Sequence, residues 1–90
     1  MRFAYIIMGD FGSGKNRAEI ANGGAVMIGV SNIAEAVILA DSGIGCIELC
    51  GAFGESGAKA IIEATENKIP VGYVTHLPEQ NDIYASVFGE

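Results

Sequence analysis

The sequence has no tryptophan, one histidine, two prolines and two cysteines among its 90 residues. Half of it is hydrophobic and only 18% is charged, which excludes a disordered chain. Basic residues are scarce: five Lys and Arg stand against eleven Asp and Glu, for a net charge of −6. A protein that binds phosphate backbones needs the opposite balance, so nucleic acid is not expected as a partner, nor is an anionic membrane surface. Long hydrophobic runs are absent too, and the apolar stretches are far too short to span a bilayer.

The cysteines, Cys46 and Cys50, lie in one short apolar segment. On a strand they share a face about four rises of ~3.3 Å apart, beyond the ~7 Å between Cα atoms that a disulfide tolerates. Free thiols point to a reducing, cytoplasmic setting. Metal binding has little to work with. Cys46, Glu48 and Cys50 alternate toward one face with His76 on a later segment, but Cys-x-x-x-Cys within a strand is not a structural-zinc spacing. Small buried thiols are the commoner role. No metal and no cofactor is expected.

The length allows one domain, residues 1–90. Residues 3–8 (FAYIIM) are an apolar run closed by Gly9-Asp10, the pattern of a buried strand. Arg2 ahead of it gives a superficial likeness to a secretory leader, but the run is short and no small-x-small site follows, so a first strand is expected. Residues 9–24 are Gly-rich and polar and read as a loop, with a short helix near Arg17–Ala21. Residues 25–30 (AVMIGV) read as a second strand. Ser31 or Asn32 then fits a helix cap with Glu35 in the first turn. Ile33, Ala36, Val37 and Ala40 make an apolar stripe that ends near Asp41-Ser42, with Gly43 as the stop. Residues 44–50 (IGCIELC) form a third strand. A glycine-rich loop leads into a second helix with Ala58, Ile61, Ile62 and Thr65 inward and Lys59, Glu63 and Glu66 outward. Pro70 opens a fourth strand, residues 70–76 (PVGYVTH). Residues 77–90 are a tail whose Ile83, Tyr84, Val87 and Phe88 are too apolar to float free.

Strands alternating with helices predict parallel pairing through right-handed crossovers. The expected fold is a compact single α/β domain with a four-stranded, mostly parallel sheet and two main helices. Side chains alternate across a sheet. One face gathers Ala4, Ile6, Met8, Val26, Ile28, Val30, Ile47, Leu49 and Val74. The other gathers Phe3, Tyr5, Ile7, Met27, Cys46, Glu48, Cys50, Val71, Tyr73 and Thr75. If both helices cover the first face, the second is bare, and an apolar patch of that size marks an interaction surface. A second copy of the chain, or the tail exchanged between copies, would cover it. A homo-oligomer is expected, in its simplest form a dimer. A doubly wound sheet with one helix on each face is the rival, and it needs no partner.

Four constellations carry chemistry. Gly9-Asp10-Phe11-Gly12-Ser13-Gly14-Lys15-Asn16 matches the phosphate-cradling G-x-x-x-x-G-K after a strand. It lacks the following Ser or Thr that would hold Mg²⁺, and the segment soon breaks at Asn22-Gly23-Gly24, so a Gly-rich surface loop is the favoured reading. Cys50-Gly51-Ala52-Phe53-Gly54-Glu55-Ser56-Gly57 is either a turn whose three glycines and N–H groups approach a ligand or a tight strand-to-helix turn with Phe53 packed inward. Glu48, a mid-strand carboxylate, is either an acid/base group or a structural carboxylate answered by a donor such as Tyr5 or Tyr73. At the carboxyl end of the sheet, where open α/β sheets bind ligands, His76 and Asp10 are the natural acid/base pair. A lone surface histidine is the commoner reading of His76.

The segments IELCGAFG (47–54), Gly57-Ala58 and Pro70-Val71-Gly72, with Val30-Ser31 and Glu35-Ala36 upstream, resemble a family of small bacterial proteins known only as a domain of unknown function. The resemblance implies an α/β fold and no known activity, and it does not extend past His76. Its pattern is variable over residues 10–24. Two functions follow as expectations. One is an oligomeric small-molecule-binding domain using Glu48, Cys50, Gly51, Phe53, Gly54 and His76, with catalysis by Glu48, His76 or Asp10 left open. The other is a structural or regulatory interaction module with no small ligand.

Overall fold

The computed structural model describes residues 1–11, 13–40 and 43–89, with the side chains of residues 13–15 left aside. Among these, the elements in chain order are β1 (Phe3–Met8), β2 (Ser13–Ile20), β3 (Ala25–Val30), α1 (Ile33–Leu39), β4 (Cys46–Leu49), α2 (Gly54–Ala64), β5 (Val71–Tyr73) and α3 (Asn81–Phe88). They build one five-stranded sheet in the order β2-β3-β1-β4-β5. β1 pairs in parallel with β3 and β4, β4 pairs in parallel with β5, and β2 runs antiparallel to β3. The expected α/β domain with a mostly parallel sheet is therefore present, with one strand and one helix more than the sequence pattern indicated.

The added strand is β2. Residues 13–20 are neither a loop nor a short helix but an edge strand, paired from Ser13 opposite Val30 to Ile20 opposite Ala25, with an irregularity between Ser13 and Arg17. Asn22 and Gly23 take left-handed φ values of 53° and 87° in the turn that returns the chain into β3, as tight hairpin connections require. Arg2 ties this hairpin to the start of β1. Its Nε donates to the Gly23 carbonyl at 3.0 Å and its guanidinium pairs with Glu19 at 2.8 Å. A strand that begins at Ser13, within Gly9–Asn16, also removes the phosphate-loop reading, because that loop must open a helix to present its N–H groups. Gly12 lies outside the described residues.

Both helical crossovers step the same way across the sheet, from β3 over β1 to β4 and from β4 to β5. Right-handed crossovers in one direction deliver their helices to one face. The core agrees: Ala36 and Ala40 next to α1's stripe, and Ala58 and Ile61 of α2, pack on Ala4, Ile6, Val26, Ile28, Val30, Ile47 and Leu49. The doubly wound alternative is excluded among the described elements.

Local chemistry sets the helix ends. Asn32 Oδ1 accepts from the Glu35 N–H at 2.9 Å, and Glu35 Oε1 accepts from the Ser31 N–H at 2.6 Å, so two donors at the helix start are answered. Asp41 and Ser42, at the expected end of α1, lie outside the described residues. Gly57 sits where the first turn of α2 crosses Phe53 and Ile33. A Cβ there would lie 3.0 Å from Phe53 Cβ and 3.5 Å from Ile33 Cδ1. The glycine is a packing requirement of that seam.

Two further expectations are corrected. The fourth parallel strand spans Val71–Tyr73 rather than 70–76, and its register pairs Ile47 with Val71 and Leu49 with Tyr73. Val71 and Tyr73 thus pack under the helices, and Val74 lies with the open face, the reverse of the assignment by pattern. The tail is a helix, α3, led in by a turn at Pro78–Gln80. All of its residues but Ala85 are exposed, Tyr84 least among the large ones.

Candidate functional site

The helix-free face of the sheet carries Phe3, Tyr5 and Ile7 from β1, Met27 and Gly29 from β3, Cys46 and Glu48 from β4, and Gly72 from β5. Ladder pairing fixes this. Phe3 stands beside Cys46, Tyr5 beside Glu48, and Glu48 beside Gly72. Phe3, Tyr5 and Ile7 are half-buried, and Met27 is 48% exposed.

Glu48 is the one carboxylate on this central surface. It is half-buried, and Ile47 and Leu49 on either side of it are fully buried on the other face. Its carboxylate lies across Gly72: a Cβ at that glycine would meet Oε2 at 2.6 Å and Oε1 at 3.1 Å. The side chain occupies the space that a neighbouring strand's side chain would otherwise fill. Among the described residues no hydrogen-bond donor or cation is paired with Glu48, so neither Tyr5 nor Tyr73 acts as the expected donor.

The remaining residues proposed from sequence separate into different layers. Cys50 closes the β1–β4 ladder. Its N–H donates to the Ile6 carbonyl at 3.0 Å, its own carbonyl accepts the Phe53 N–H at 3.1 Å as the chain turns, and its Sγ accepts the Met8 N–H at 3.2 Å. The thiol takes the donor that the diverted carbonyl no longer serves. Both cysteines are free. Phe53 is 3% exposed and belongs to the core, so the inward-packed turn is the one observed. Gly51 faces the Val74 carbonyl, and Gly54 has φ 62° at the entry to α2.

His76 and Asp10 are not brought together. β1 and β5 are separated by β4, about 9–10 Å across two strand spacings, and no hydrogen bond joins them. His76 is engaged by the tail instead. Its Nε2 lies 2.8 Å from Asn81 Oδ1, and its ring stacks on Tyr84 with centroids 3.8 Å apart and planes 9° from parallel. Tyr84 in turn stacks on Phe88 at 5.6 Å.

Two concavities accompany this arrangement. A shallow, mainly apolar groove of about 200 Å³ lies on the open face between Ile7, Phe11, Asn16, Arg17, Ala18, Met27 and Gly29. Phe11 roofs it: a Cβ on Gly29 would lie 2.9 Å from the Phe11 Cβ and Cγ, and Asn16 Nδ2 holds the Phe11 carbonyl. The aromatic at 11 and the small residues at 18 and 29 were the available signal, hidden by reading 9–24 as a loop. The second, about 240 Å³, lies between the ends of α1 and α2, beside Ile44, Thr65 and Lys68. Both fall short of the ~300 Å³ at which ligand pockets usually begin. Among the described residues no three His, Cys, Asp or Glu gather to hold a metal ion, and no helix is long and apolar enough to cross a membrane.

Fold and face together define a small α/β domain with helices on one side of a mixed sheet and an apolar, singly acidic surface on the other. The chain belongs to a family of unknown function, DUF6506, which matches residues 1–89 and so takes in α3 as well as the sheet. No curated protein and no solved structure matches it.

Proposed function

We propose that this protein is a ligand-binding homo-oligomer, in its simplest form a dimer, that holds a small molecule on the open sheet face. The observation that supports it is Glu48: a half-buried carboxylate on an otherwise apolar surface, laid over Gly72 and without a donor from the described residues. Withdrawing a carboxylate from water costs free energy unless donors answer it. A ligand with an ammonium or amide N–H on a small apolar body supplies that donor, while Tyr5, Phe3 and Met27 receive the body. Cys46 flanks the anchor along β4, and Cys50 follows the strand with its thiol engaged by the Met8 N–H. Phe53 supports the site from within the core, and His76 acts through the tail it holds, so an acid/base role for His76 is not part of the proposal.

The test is a nuclear magnetic resonance titration with paired fragments, benzylamine against benzyl alcohol and butylamine against butanol. The amines are expected to shift the amide signals of Tyr5, Glu48 and Gly72, the alcohols to do so weakly, and Glu48→Gln to abolish the difference. Equal responses to amine and alcohol, or amine shifts clustered away from this face, would overturn the assignment. A protein that assembles and responds to none of the fragments would favour the interaction-module alternative, in which the face serves subunit contact alone.

A further inference from the structure

We propose that α3 of a second copy lies across the open sheet face and closes the site around Glu48, so that each site is completed by the partner's tail. This deepens the binding reading above and rests on it.

The first support is α3 itself. It is eight residues long, and isolated helices shorter than ~12–15 residues are marginal in water. Ile83, Tyr84, Val87 and Phe88 fall at i, i+1, i+4 and i+5, one continuous stripe. In a single chain Ile83 is 55%, Val87 69% and Phe88 70% exposed. Beyond the turn before it, the helix is held chiefly by the His76 stack and the Asn81 bond. Those contacts fasten it to the linker, not to its own sheet. A short helix with an exposed stripe requires a surface to lie on.

The second support is that the missing surface is on the same chain. The open face is mainly apolar and carries no helix, with Phe11 lying over only its Gly29 end, and each copy carries one face and one tail. A two-fold pair buries both at once with no unmatched patch, as self-complementary contacts do. Charge permits the contact. Asp82 points away from the stripe by helix geometry, so the stripe brings no carboxylate toward Glu48, and Tyr84 brings a hydroxyl.

The third support is size. Five strands at ~4.8 Å and about six residues at ~3.3 Å each make a face on the order of 20 by 20 Å. Two such faces with two helices bury on the order of 1,000 Å² or more, which is where specific interfaces begin. Closure also turns the shallow groove near Phe11 and Met27 into an enclosed one.

The test uses the full chain. Sedimentation velocity at micromolar concentration should give twice the 9.3 kDa chain mass. Phe88→Glu and, independently, Met27→Glu should each halve it. Both residues are exposed in the single chain, so circular dichroism of the sheet and of α1 and α2 should be unchanged. Val87→Cys in a Cys50→Ser background should oxidise to a dimer-mass band through the native Cys46, and adding Cys46→Ser should abolish that band. A monomeric wild type, a dimer indifferent to both glutamates, or a Val87→Cys link that forms within one chain at monomer mass would overturn the proposal. The fragment titration at Glu48 reads separately: loss of the amine response with an intact cross-link removes the ligand reading and leaves the closure. Loss of the cross-link with a retained amine response does the reverse.

Discussion

Replacing Gly57 by alanine sets two effects against each other. Alanine is favoured over glycine inside a helix by up to ~1 kcal/mol, and by less in a first turn. Against this, the new Cβ would stand 3.0 Å from Phe53 Cβ and 3.2 Å from Phe53 Cδ2, inside the ~3.5–4.0 Å at which carbon pairs attract. Phe53 is 3% exposed, and its Cβ is fixed to the backbone of the turn, so it cannot swing aside. Overpacking of this kind costs about 1–3 kcal/mol. The clash outweighs the propensity gain, and the variant should lose about 1 kcal/mol, or ~4–8 °C in melting temperature for a domain of this size. Urea unfolding followed by circular dichroism should show a lower midpoint at an unchanged slope. Ser56→Ala, one position earlier and exposed, has the propensity gain without the clash and should be neutral or stabilising. If Gly57→Ala is as stable as wild type while Ser56→Ala behaves as described, the seam between Phe53 and Ile33 is not tightly packed and the reasoning fails.

Removal of the Cys50 thiol leaves the Met8 N–H without its acceptor, so Cys50→Ala should cost about 1 kcal/mol. Cys50→Ser should recover part of that loss, and equal urea midpoints for the two variants would show that the sulfur does not serve as acceptor. Asn32→Ala removes the cap on α1 and should lower stability by about 1 kcal/mol, while Asn32→Asp retains it. Thermal melts that do not separate the two would contradict the capping role.

The parts of the fold that were legible in sequence are those whose two sides meet different media. β1, β3 and β4 have buried residues on one side at every second position, and α1 and α2 bury one stripe, so period and composition agreed with the structure. β2 has the sheet on one side only. Its sequence, SGKNRAEI, shows no hydrophobic period, and residues 16–20 are exposed whichever side they take, which is why it read as a loop. In β5 the contrast between Val71, Tyr73 and Val74 is weak. Alternation with Val74 inward puts Tyr73 on the open face, whereas α2 covers Tyr73 in part and leaves it half-buried. The stripe of α3 was visible as apolarity, but Pro78 ahead of it and the absence of a capping side chain concealed the helix. For the candidate site, Glu48 was located by parity between Ile47 and Leu49. The run from Cys50 to Gly54 was not divisible by pattern, because the tight turn after Cys50 alone decides that Phe53 enters the core. The engagement of His76 by Asn81 and Tyr84 exists only once α3 has formed.

The borders of the sheet direct how copies of this protein can meet. At one border β2 breaks its regular pairing between Ser13 and Arg17 and presents Arg17 and Glu19, which pair with each other at 3.0 Å. At the other, β5 is three residues long. An incoming strand from a neighbour meets a charged, irregular margin at β2 and a short one at β5, and margins of this kind resist sideways polymerisation into fibres. Open-ended ribbon growth through the sheet edges is thereby disfavoured.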